Sequence, residues 1–332
     1  MEWILAIPLI ISFFVCVFFT PVWIRKAKEV GLIWEDMHKV GHPKDVAGSG
    51  GMIVLMSFIF GILVYIAIET FVLKTNLVTI KIFALLTTVL IAGLIGFVDD
   101  IFGWARGGLS ARFRIILLIF ASIPLVVIQA GEPAMMGIKL GLIYPLLIIP
   151  LGVVGAAATF NFIAGYNGLE TRQGILITSA LGIVMIRQGE GWLGLICFIL
   201  VACLIAFYFY NKFPAKVFPG DILTYSVGAL IAVIAIIGNS EKIAVFFFIP
   251  YIIEVILKCR GGLKKASFAK LNSTGGLEVP YEKFYGIEHI AIAIMKKIKK
   301  DKDVKESEVI FVINLFQLLI ILVGFALFGG IF

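Results

Sequence analysis

The chain has 332 residues, of which 61% are hydrophobic and 15% charged, and its formal net charge is +7. This composition excludes a soluble globular protein and indicates an integral membrane protein that crosses the bilayer many times. Three of the four cysteines lie inside apolar runs and none forms a CxxC pair, so the sequence predicts neither a zinc site nor a disulfide framework.

Ten apolar runs separated by polar segments predict an all-α integral membrane protein with about ten transmembrane helices. We expect residues 1–332 to form a single polytopic domain, whose first span is retained and not cleaved as a signal peptide. The predicted spans, in chain order, are 3–23, 51–68, 81–98, 113–130, 142–160, 172–186, 192–210, 222–237, 243–257 and 309–328.

The charges between the spans predict the orientation of the chain. All but five of the 28 lysine and arginine residues fall in or beside the polar segments of one side. The positive-inside rule places those segments in the cytoplasm and both termini outside. Most carboxylates share that side and few polar groups lie at the midplane, which favours an enzyme with a cytoplasmic site over a channel or transporter. The predicted cytoplasmic segments are 24–50, 99–112, 161–171, 211–221 and 258–308.

The segment 258–308 is too long for a plain connection and predicts a small cytoplasmic subdomain. Within it, residues 282–300 carry isoleucines at helical spacing and end in clustered lysines, which predicts a helix lying on the anionic membrane surface. A solvated run of charge explains those lysines equally well. Neither His38 nor His289 has the spacing of a metal ligand, and both are expected at the surface.

Asp99 and Asp100 close the third apolar run. Two adjacent carboxylates at the end of a span either mark the helix end or hold a metal ion or a phosphate. Arg112 and Arg114 follow across one loop, so the four side chains could share a phosphate and a divalent ion, although a salt bridge between helix ends explains the pattern as well. Gly103 stands where an aspartate-rich prenyltransferase needs a third carboxylate, so that class is excluded.

Other candidate residues lie at the same predicted face. Asn161, Asn167 and Glu170 end the fifth span, where an amide oxygen can ligate Mg²⁺, pair with a nucleobase or cap a helix. Asp221 opens the eighth span and in isolation reads as a helix N-cap. Residues 48–51 form a glycine-rich turn near Lys39 that can cradle an anion, although such turns also occur in ordinary loop-to-helix transitions.

Three motifs occur in an order that resembles a known family. GFVDD at 96–100, FNFIAGYNGLE at 160–170 and VFPGD at 217–221 are similar to the polyprenyl-phosphate N-acetylhexosamine-1-phosphate transferases. The likeness extends from Gly31 to about Phe284. Ala164 and Asn167 replace acidic residues of the bacterial phospho-MurNAc-pentapeptide translocase and are similar to the dolichol-type members, which use UDP-N-acetylglucosamine.

The resemblance implies transfer of N-acetylglucosamine-1-phosphate from UDP-N-acetylglucosamine to a polyprenyl phosphate, of the dolichyl type, with release of UMP. Such a reaction is the first membrane step of lipid-linked glycan assembly, as in N-glycosylation. It implies Mg²⁺, with Mn²⁺ as the alternative ion, held by Asn161 and Asp221. It also implies a catalytic centre at Asp99, Asp100 and Arg114.

The resemblance further implies a uracil contact at Asn167. Where the family grips the diphosphate with histidine or arginine in the last cytoplasmic loop, this chain has only lysines, which act as point charges. The substrate contacts that we predict from the full pattern are Lys39, Asp45, Arg112, Gly165, Asn167, Glu170, Lys264, Lys265 and Lys270.

Two other hypotheses stay open at this point. One is the same chemistry on another UDP-N-acetylhexosamine or on undecaprenyl phosphate, in the assembly of a cell-wall or surface polysaccharide. The other is a transporter of a phosphorylated solute. The expected partners are the sugar nucleotide, the polyprenyl phosphate and membrane lipid; nucleic acid is not expected, and a homodimer is left open.

Overall fold

The fold was analysed in a computed structural model that describes residues 2–75, 78–135, 138–300 and 302–330. Within these residues the chain is mostly helical, and its strands form three short antiparallel hairpins. The helices are α1 (Ala6–Glu29), α2 (Gly51–Ala67), α3 (Thr79–Arg106), α4 (Ala111–Ala121), α5 (Ile123–Val127), α6 (Ile149–Phe160), α7 (Leu169–Arg187), α8 (Gly191–Asn211), α9 (Gly220–Ile237), α10 (Glu241–Phe247), α11 (Ile249–Arg260), α12 (Ile287–Ile298) and α13 (Glu306–Phe328). The hairpins pair β1 (Ile33–Trp34) with β2 (Val46–Ala47), β3 (Ala134–Met135) with β4 (Ile138–Lys139), and β5 (Lys270–Leu271) with β6 (Leu277–Glu278).

Seven helical stretches in the described residues are long and apolar enough to cross a membrane. The predicted class, an all-α integral membrane protein, is therefore confirmed. These stretches are Trp3–Glu29, Gly51–Leu73, Thr79–Ala105, Leu169–Arg187, Gly191–Asn211, Gly220–Ile237 and Glu306–Phe328.

The other three predicted spans are short or interrupted. Span 142–160 becomes the apolar stretch Tyr144–Phe160, which is shorter than the seven. Span 113–130 divides into α4 and α5, and span 243–257 divides into α10 and α11. Pro124 and Pro250 lie in the first turns of α5 and α11, where the missing N–H and the ring prevent a continuous helix. The count of ten spans stays a prediction.

Helix α9 lies at the centre of the helix bundle. Every residue from Ile222 to Ile237 is buried, and the helix packs against α2, α3, α6 and α7. Its sequence is apolar on all sides, and such a helix is stable only where protein or lipid surrounds it. The start of α9 therefore has a fixed position, to which the neighbouring helix ends are tied.

Helices α3 and α9 approach closely where Gly96 faces the start of α9. A Cβ added at Gly96 would lie 2.3 Å from the carbonyl oxygen of Asp221. Only a residue without a side chain allows the two backbones to come so near. Asp99 and Asp100, which lie about two turns before the end of α3, are consequently neighbours of Asp221 at the start of α9.

The segment 258–308 contains the β5–β6 hairpin and α12, with Asp301 outside the described residues. Helix α12 packs on α11 and α13 and lies within the predicted stretch 282–300. Its first half is buried in protein, while Ile294 and Ile298 near its end are exposed. Contact of this end with a membrane surface stays a prediction, and so do the boundaries of a separate subdomain.

The expectation that two histidines lie at the surface is wrong. His38 is 6% exposed and His289 is not exposed at all. Each packs against aromatic rings, His38 on Tyr166 and His289 on Tyr281. The sequence around His38 is polar, so its burial could not be read from local hydrophobicity.

Candidate active site

A polar cavity of about 450 Å³ lies where α3, α6, α9 and α11 present the ends that were predicted to be cytoplasmic. Asp100 from α3, Asn161 after α6, Asp221 from α9 and Lys258 from α11 line it. Residues 34–38 and 266–268 add to the wall, together with Phe162, Ala164, Gly165, Tyr166 and Glu170. The cavity thus gathers side chains that are far apart in sequence around a single space.

Asp100 caps helix α9 from the neighbouring helix. Its carboxylate accepts hydrogen bonds from the backbone N–H groups of Asp221, at 2.7 Å, and Ile222, at 3.4 Å. These are first-turn N–H groups that have no partner within their own helix, and a negative charge is favourable there. Helix α9 begins at Gly220, its N-cap residue is Pro219, and Asp221 lies inside the first turn. The N-cap interpretation of Asp221 is therefore wrong, and its carboxylate lies on the cavity wall.

Asp99 lies behind this wall and organises the loop that follows α3. It is buried and accepts hydrogen bonds from the Leu109 N–H, at 2.6 Å, and from Arg114 Nη1, at 2.8 Å. The same Nη1 donates to the Tyr225 hydroxyl at 3.3 Å and lies 3.8 Å from Asp221 Oδ2. The salt bridge between helix ends that the sequence left open is thus present, and it directs Arg114 towards Asp221.

The loop after α6 contributes several residues to the cavity, while Asn167 lies behind the wall. Asn161 is half-buried and lines the cavity. Glu170 lines it as well, and its Oε1 accepts the Gly165 N–H at 2.6 Å. Asn167 is buried outside the lining, where its amide donates to Asp36 at 3.0 Å and to Glu306 at 3.3 Å. Its predicted contact with uracil stays a prediction.

Gly165 allows the segment 258–308 to pack over this loop. Its φ of +101° lies in the left-handed region, and an added Cβ would lie 2.1 Å from a ring carbon of Phe268. A residue with a side chain would be strained and would displace the ring. Phe268 lines the cavity from above Gly165, and no motif in the sequence had pointed to it.

Two predicted substrate contacts in the first cytoplasmic segment lie away from the cavity wall. Lys39 forms an ion pair with Asp36 and lies over the ring of Phe213. Asp45 pairs with Lys28 at 3.0 Å, with a side chain that is 74% exposed. His38 does line the cavity, and burial lowers the pKa of its imidazole to about 4. It is therefore neutral at physiological pH.

The predicted cations of the last segment also lie away from the wall. Lys264, Lys265, Lys270 and the earlier Arg112 are exposed, and none of them lines the cavity. Lys258 lines it instead. Sequence reasoning missed this residue, although its spacing of four from Glu254 at the end of an apolar run was a usable signal.

The oxygen donors on the wall fit a magnesium ion. Asp221 and Asn161 offer a carboxylate and an amide oxygen to the same space, and Mg²⁺ is commonly held by one or two carboxylates together with water and substrate phosphates. In the part of the chain that is described, no three His, Cys, Asp or Glu side chains form a metal-binding group. An ion here would therefore complete its coordination with water and substrate.

Comparison with known proteins identifies the family. The profile of glycosyl transferase family 4 matches residues 82–239. A Saccharolobus solfataricus protein, with the provisional name UDP-N-acetylglucosamine–dolichyl-phosphate N-acetylglucosaminephosphotransferase, is 34% identical over 87% of this chain and 88% of its own length. A Sulfolobus acidocaldarius protein of the same provisional name is 30% identical over 88% of each chain. The phospho-N-acetylmuramoyl-pentapeptide-transferase of Enterococcus faecalis is 26% identical over 76% of this chain and 82% of its own length.

The fold and the cavity define an integral membrane protein with a polar site at the ends of its helices. With relatives of this identity and coverage, the chain belongs to glycosyl transferase family 4 and is a membrane transferase. The resemblance to the polyprenyl-phosphate N-acetylhexosamine-1-phosphate transferases is thereby confirmed.

Proposed function

We propose that the protein transfers N-acetylglucosamine-1-phosphate from UDP-N-acetylglucosamine to a polyprenyl phosphate of the dolichyl type, with release of UMP. The observation that carries the proposal is a polar cavity lined by Asp100, Asn161 and Asp221, with an apolar groove along α6 whose last lining residue on that helix, Thr159, is two residues before Asn161. The names of the two archaeal relatives support the donor and the acceptor. Such a product is the first lipid-linked intermediate of glycan assembly.

The apolar groove suits the prenyl chain of the acceptor. It has a volume of about 360 Å³ and lies between α6, α9 and the interrupted helix α10–α11. It runs from Ile148 to Thr159, and Thr159 is two residues before Asn161 of the polar cavity. A lipid lying in this groove would therefore bring its phosphate to the wall that carries Asn161 and Asp221.

The chemistry is a single displacement at phosphorus. An oxygen of the acceptor phosphate forms a bond to the β-phosphorus of the nucleotide sugar, and the bond from that phosphorus to the oxygen of UMP breaks. Asn161 and Asp221 would hold Mg²⁺, or Mn²⁺ as the alternative, which neutralises diphosphate charge and the charge on departing UMP. A lipid phosphate is already largely ionised at neutral pH, so the protein needs mainly to orient it.

Asp100, Asp99 and Arg114 have separate tasks in this proposal. Asp100 lies on the wall and fixes the start of α9, and with it the direction of Asp221. Asp99 holds Arg114 through the hydrogen bond to its Nη1. Arg114 then adds positive charge beside Asp221, where the developing negative charge is located. Of the two aspartates, Asp100 is the one placed to contact the acceptor phosphate.

The orientation in the membrane is part of the proposal. The distribution of lysine and arginine supports a cytoplasmic cavity and external termini. The ten spans that the sequence predicts, an even number, would place both termini on one side; seven helical stretches among the described residues are long and apolar enough to cross. Labelling of single cysteines placed at either end of the chain in sealed vesicles measures this directly.

The proposal is tested with purified protein, Mg²⁺, dolichyl phosphate and a panel of UDP-sugars that includes UDP-N-acetylgalactosamine. We expect UMP release with UDP-N-acetylglucosamine and a lipid product of the corresponding mass. Asp221→Ala and Asn161→Ala should each lower turnover at least about 100-fold. Glu29→Gln, at an exposed carboxylate paired with Lys26, serves as the matched control and should behave as the wild type.

Three results would contradict the proposal at different levels. UMP release from no sugar nucleotide, together with flux of a phosphorylated solute in vesicles, would make the protein a transporter. Turnover with an unchanged dependence on Mg²⁺ in Asp221→Ala would leave the enzyme in place but remove the metal site. Preference for undecaprenyl phosphate or another UDP-N-acetylhexosamine would replace the substrate while keeping the chemistry.

A further inference from the structure

Lys258 lies in the last turn of α11, and its ammonium group faces the polar cavity. The Nζ donates to Ser267 Oγ at 2.8 Å and lies 3.5 Å from Glu254 Oε1. It also lies 5.3 Å from the centre of the Phe162 ring. The side chain is 18% exposed, so the charge is held in the wall and not free in solvent.

The charges on the cavity wall are strongly unequal. Five carboxyl side chains line the cavity: Glu35, Asp36, Asp100, Glu170 and Asp221. Among the described residues, Lys258 is the only lysine or arginine that lines it. A nucleotide diphosphate adds further negative charge to this space, and binding it requires cations within contact distance, because Coulomb attraction is strong where water is partly excluded.

The lysines that the sequence favoured for this task are placed differently. Lys265 lies 4.9 Å from the centre of the Tyr281 ring, and Lys270 is an exposed residue of β5. Lys264 is exposed as well, and none of the three lines the cavity. An exposed ammonium outside the cavity is screened by water and salt and contributes little to binding inside it.

We propose that Lys258, and not Lys264, Lys265 or Lys270, is the side-chain cation that binds the diphosphate of the nucleotide sugar. This inference rests on the proposed function, because it assumes a diphosphate substrate. A lysine ammonium has three N–H donors. One is directed to Ser267 and one towards Glu254, which leaves the third for a phosphate oxygen.

Glu254 and Ser267 are positioning residues for Lys258. Glu254 is fully buried, and its Oε2 accepts the backbone N–H of Ile287 at 2.6 Å, which fixes the carboxylate to the start of α12. Its Oε1 accepts the Ser267 hydroxyl at 2.9 Å. The last cytoplasmic segment therefore contributes to binding by orienting Lys258 through Ser267, while its own lysines face solvent.

The test compares the binding of UDP and of UMP to the purified full-length protein with Mg²⁺, by calorimetry. Lys258→Met should weaken the binding of UDP at least tenfold and the binding of UMP less, so that the ratio of the UDP affinity to the UMP affinity falls. The KM for UDP-N-acetylglucosamine should rise to a similar extent. Lys258→Arg keeps the charge and should restore the ratio to within about threefold. A purely structural role would weaken both nucleotides equally and leave the ratio unchanged, which would overturn the inference.

A second pair of variants keeps the test decisive. Should Lys258→Met fold poorly because Glu254 loses its partner, the double variant Lys258→Met/Glu254→Gln removes both charges together and takes its place. The triple variant Lys264→Met/Lys265→Met/Lys270→Met probes the competing assignment. A lowered UDP-to-UMP ratio in the triple variant, with a normal ratio in Lys258→Met, would overturn the inference.

The two levels of the proposal fail separately. If the wild type releases UMP while Lys258→Met keeps the normal ratio, the inference on Lys258 fails and the proposed function stands. If the wild type turns over no sugar nucleotide but its UDP binding still depends on Lys258, the proposed function fails and the diphosphate contact stands.

Discussion

The polar cavity has two walls that are built in different ways. The helix-end wall consists of Asp100 near the end of α3, Asn161 directly after α6 and Asp221 in the first turn of α9. The loop wall consists of His38, five residues between Phe162 and Glu170, and residues 266–268, from three separate segments of the chain. The first is placed by packed helices, and the second by aromatic contacts and side-chain hydrogen bonds between loops.

The difference predicts how each wall responds to change. In the helix-end wall, a carboxylate caps a neighbouring helix and a glycine permits backbone contact, so a small displacement moves several reactive groups at once. In the loop wall, the ring of His38 stacks on Tyr166 at 4.3 Å and Phe268 covers Gly165. Flexible side chains there can adjust, so we expect local changes to have smaller effects.

The largest effect is expected from Gly96→Ala. The new Cβ would lie 2.3 Å from the carbonyl oxygen of Asp221, which is backbone and cannot rotate away. The shift of α3 against α9 should cost about 3 kcal/mol of stability. It should also lower turnover about 100-fold, because small misplacements of reacting groups are costly. Thermal unfolding in detergent and UMP release measure the two effects.

Gly103→Ala is the matched control in the same helix. There the nearest atom to an added Cβ is a ring carbon of Trp34 at 3.6 Å, which is an ordinary contact. Replacing a helical glycine by alanine at such a site should stabilise by up to about 1 kcal/mol. If Gly96→Ala and Gly103→Ala have the same stability and turnover, the close approach of α3 and α9 does not determine the position of the helix-end wall.

The helix-end wall could be predicted from the sequence to a large extent. Asp99, Asp100, Asn161 and Asp221 were chosen because they stand at the ends of apolar runs on one predicted side of the membrane. Rigid spans of similar length bring such ends to a common level, so pattern alone placed them near one another. What it could not supply was the division of tasks, in which Asp100 caps α9 and Asp221 faces the cavity.

The loop wall could not be predicted in this way. Lys264, Lys265 and Lys270 were chosen for their charge, but the position of a lysine in a loop depends on how the loop folds back. Lys258, His38 and Phe268 line the cavity because distant segments meet, through contacts such as Ser267 with Glu254. No local periodicity or residue spacing in the sequence predicts these contacts between distant segments. The burial of His38 within a polar stretch could not be predicted for the same reason.

The next effect is a dependence of stability on pH through His38. Burial lowers the pKa of the folded imidazole from 6.5 to about 4, so the folded protein binds fewer protons than the unfolded chain between these values. The stability is therefore complete above pH 6.5 and is lost as the pH falls towards 4, by about 3 kcal/mol in total. Thermal unfolding in detergent between pH 7.5 and about 4.5 measures this slope.

Replacement of each histidine in turn separates this contribution from general acid unfolding. His38→Gln should flatten the slope in the stated window. His42→Gln, at a histidine whose side chain is 48% exposed and pairs with Glu35, should leave it as in the wild type. An equal slope in all three proteins would show that His38 is protonated as easily when folded as when unfolded.

A smaller effect is expected from Arg114→Lys. An ammonium can keep the ion pair with Asp99 but loses the planar fork that also reaches Tyr225 and faces Asp221. Turnover should fall about tenfold, which corresponds to about 1.4 kcal/mol, with little change in the affinity for UDP. Arg112→Lys, at the exposed neighbour two residues earlier, should cost less than twofold. Equal losses of turnover in both variants would show that the two arginines act only through the overall positive charge of the loop.

The smallest effect is expected from the three lysines to which the sequence assigned binding of the diphosphate. In a triple variant with alanine at Lys264, Lys265 and Lys270, the KM for UDP-N-acetylglucosamine should change less than twofold at physiological ionic strength. These ammonium groups are exposed and lie off the cavity wall, so water and salt screen them from a bound diphosphate. A KM measured at low salt should rise somewhat more, because long-range attraction is then less screened. A tenfold rise of the KM at physiological ionic strength would mean that the last segment closes on the substrate and brings its lysines into the cavity. Changes in the loop wall would then lower activity as much as changes in the helix-end wall.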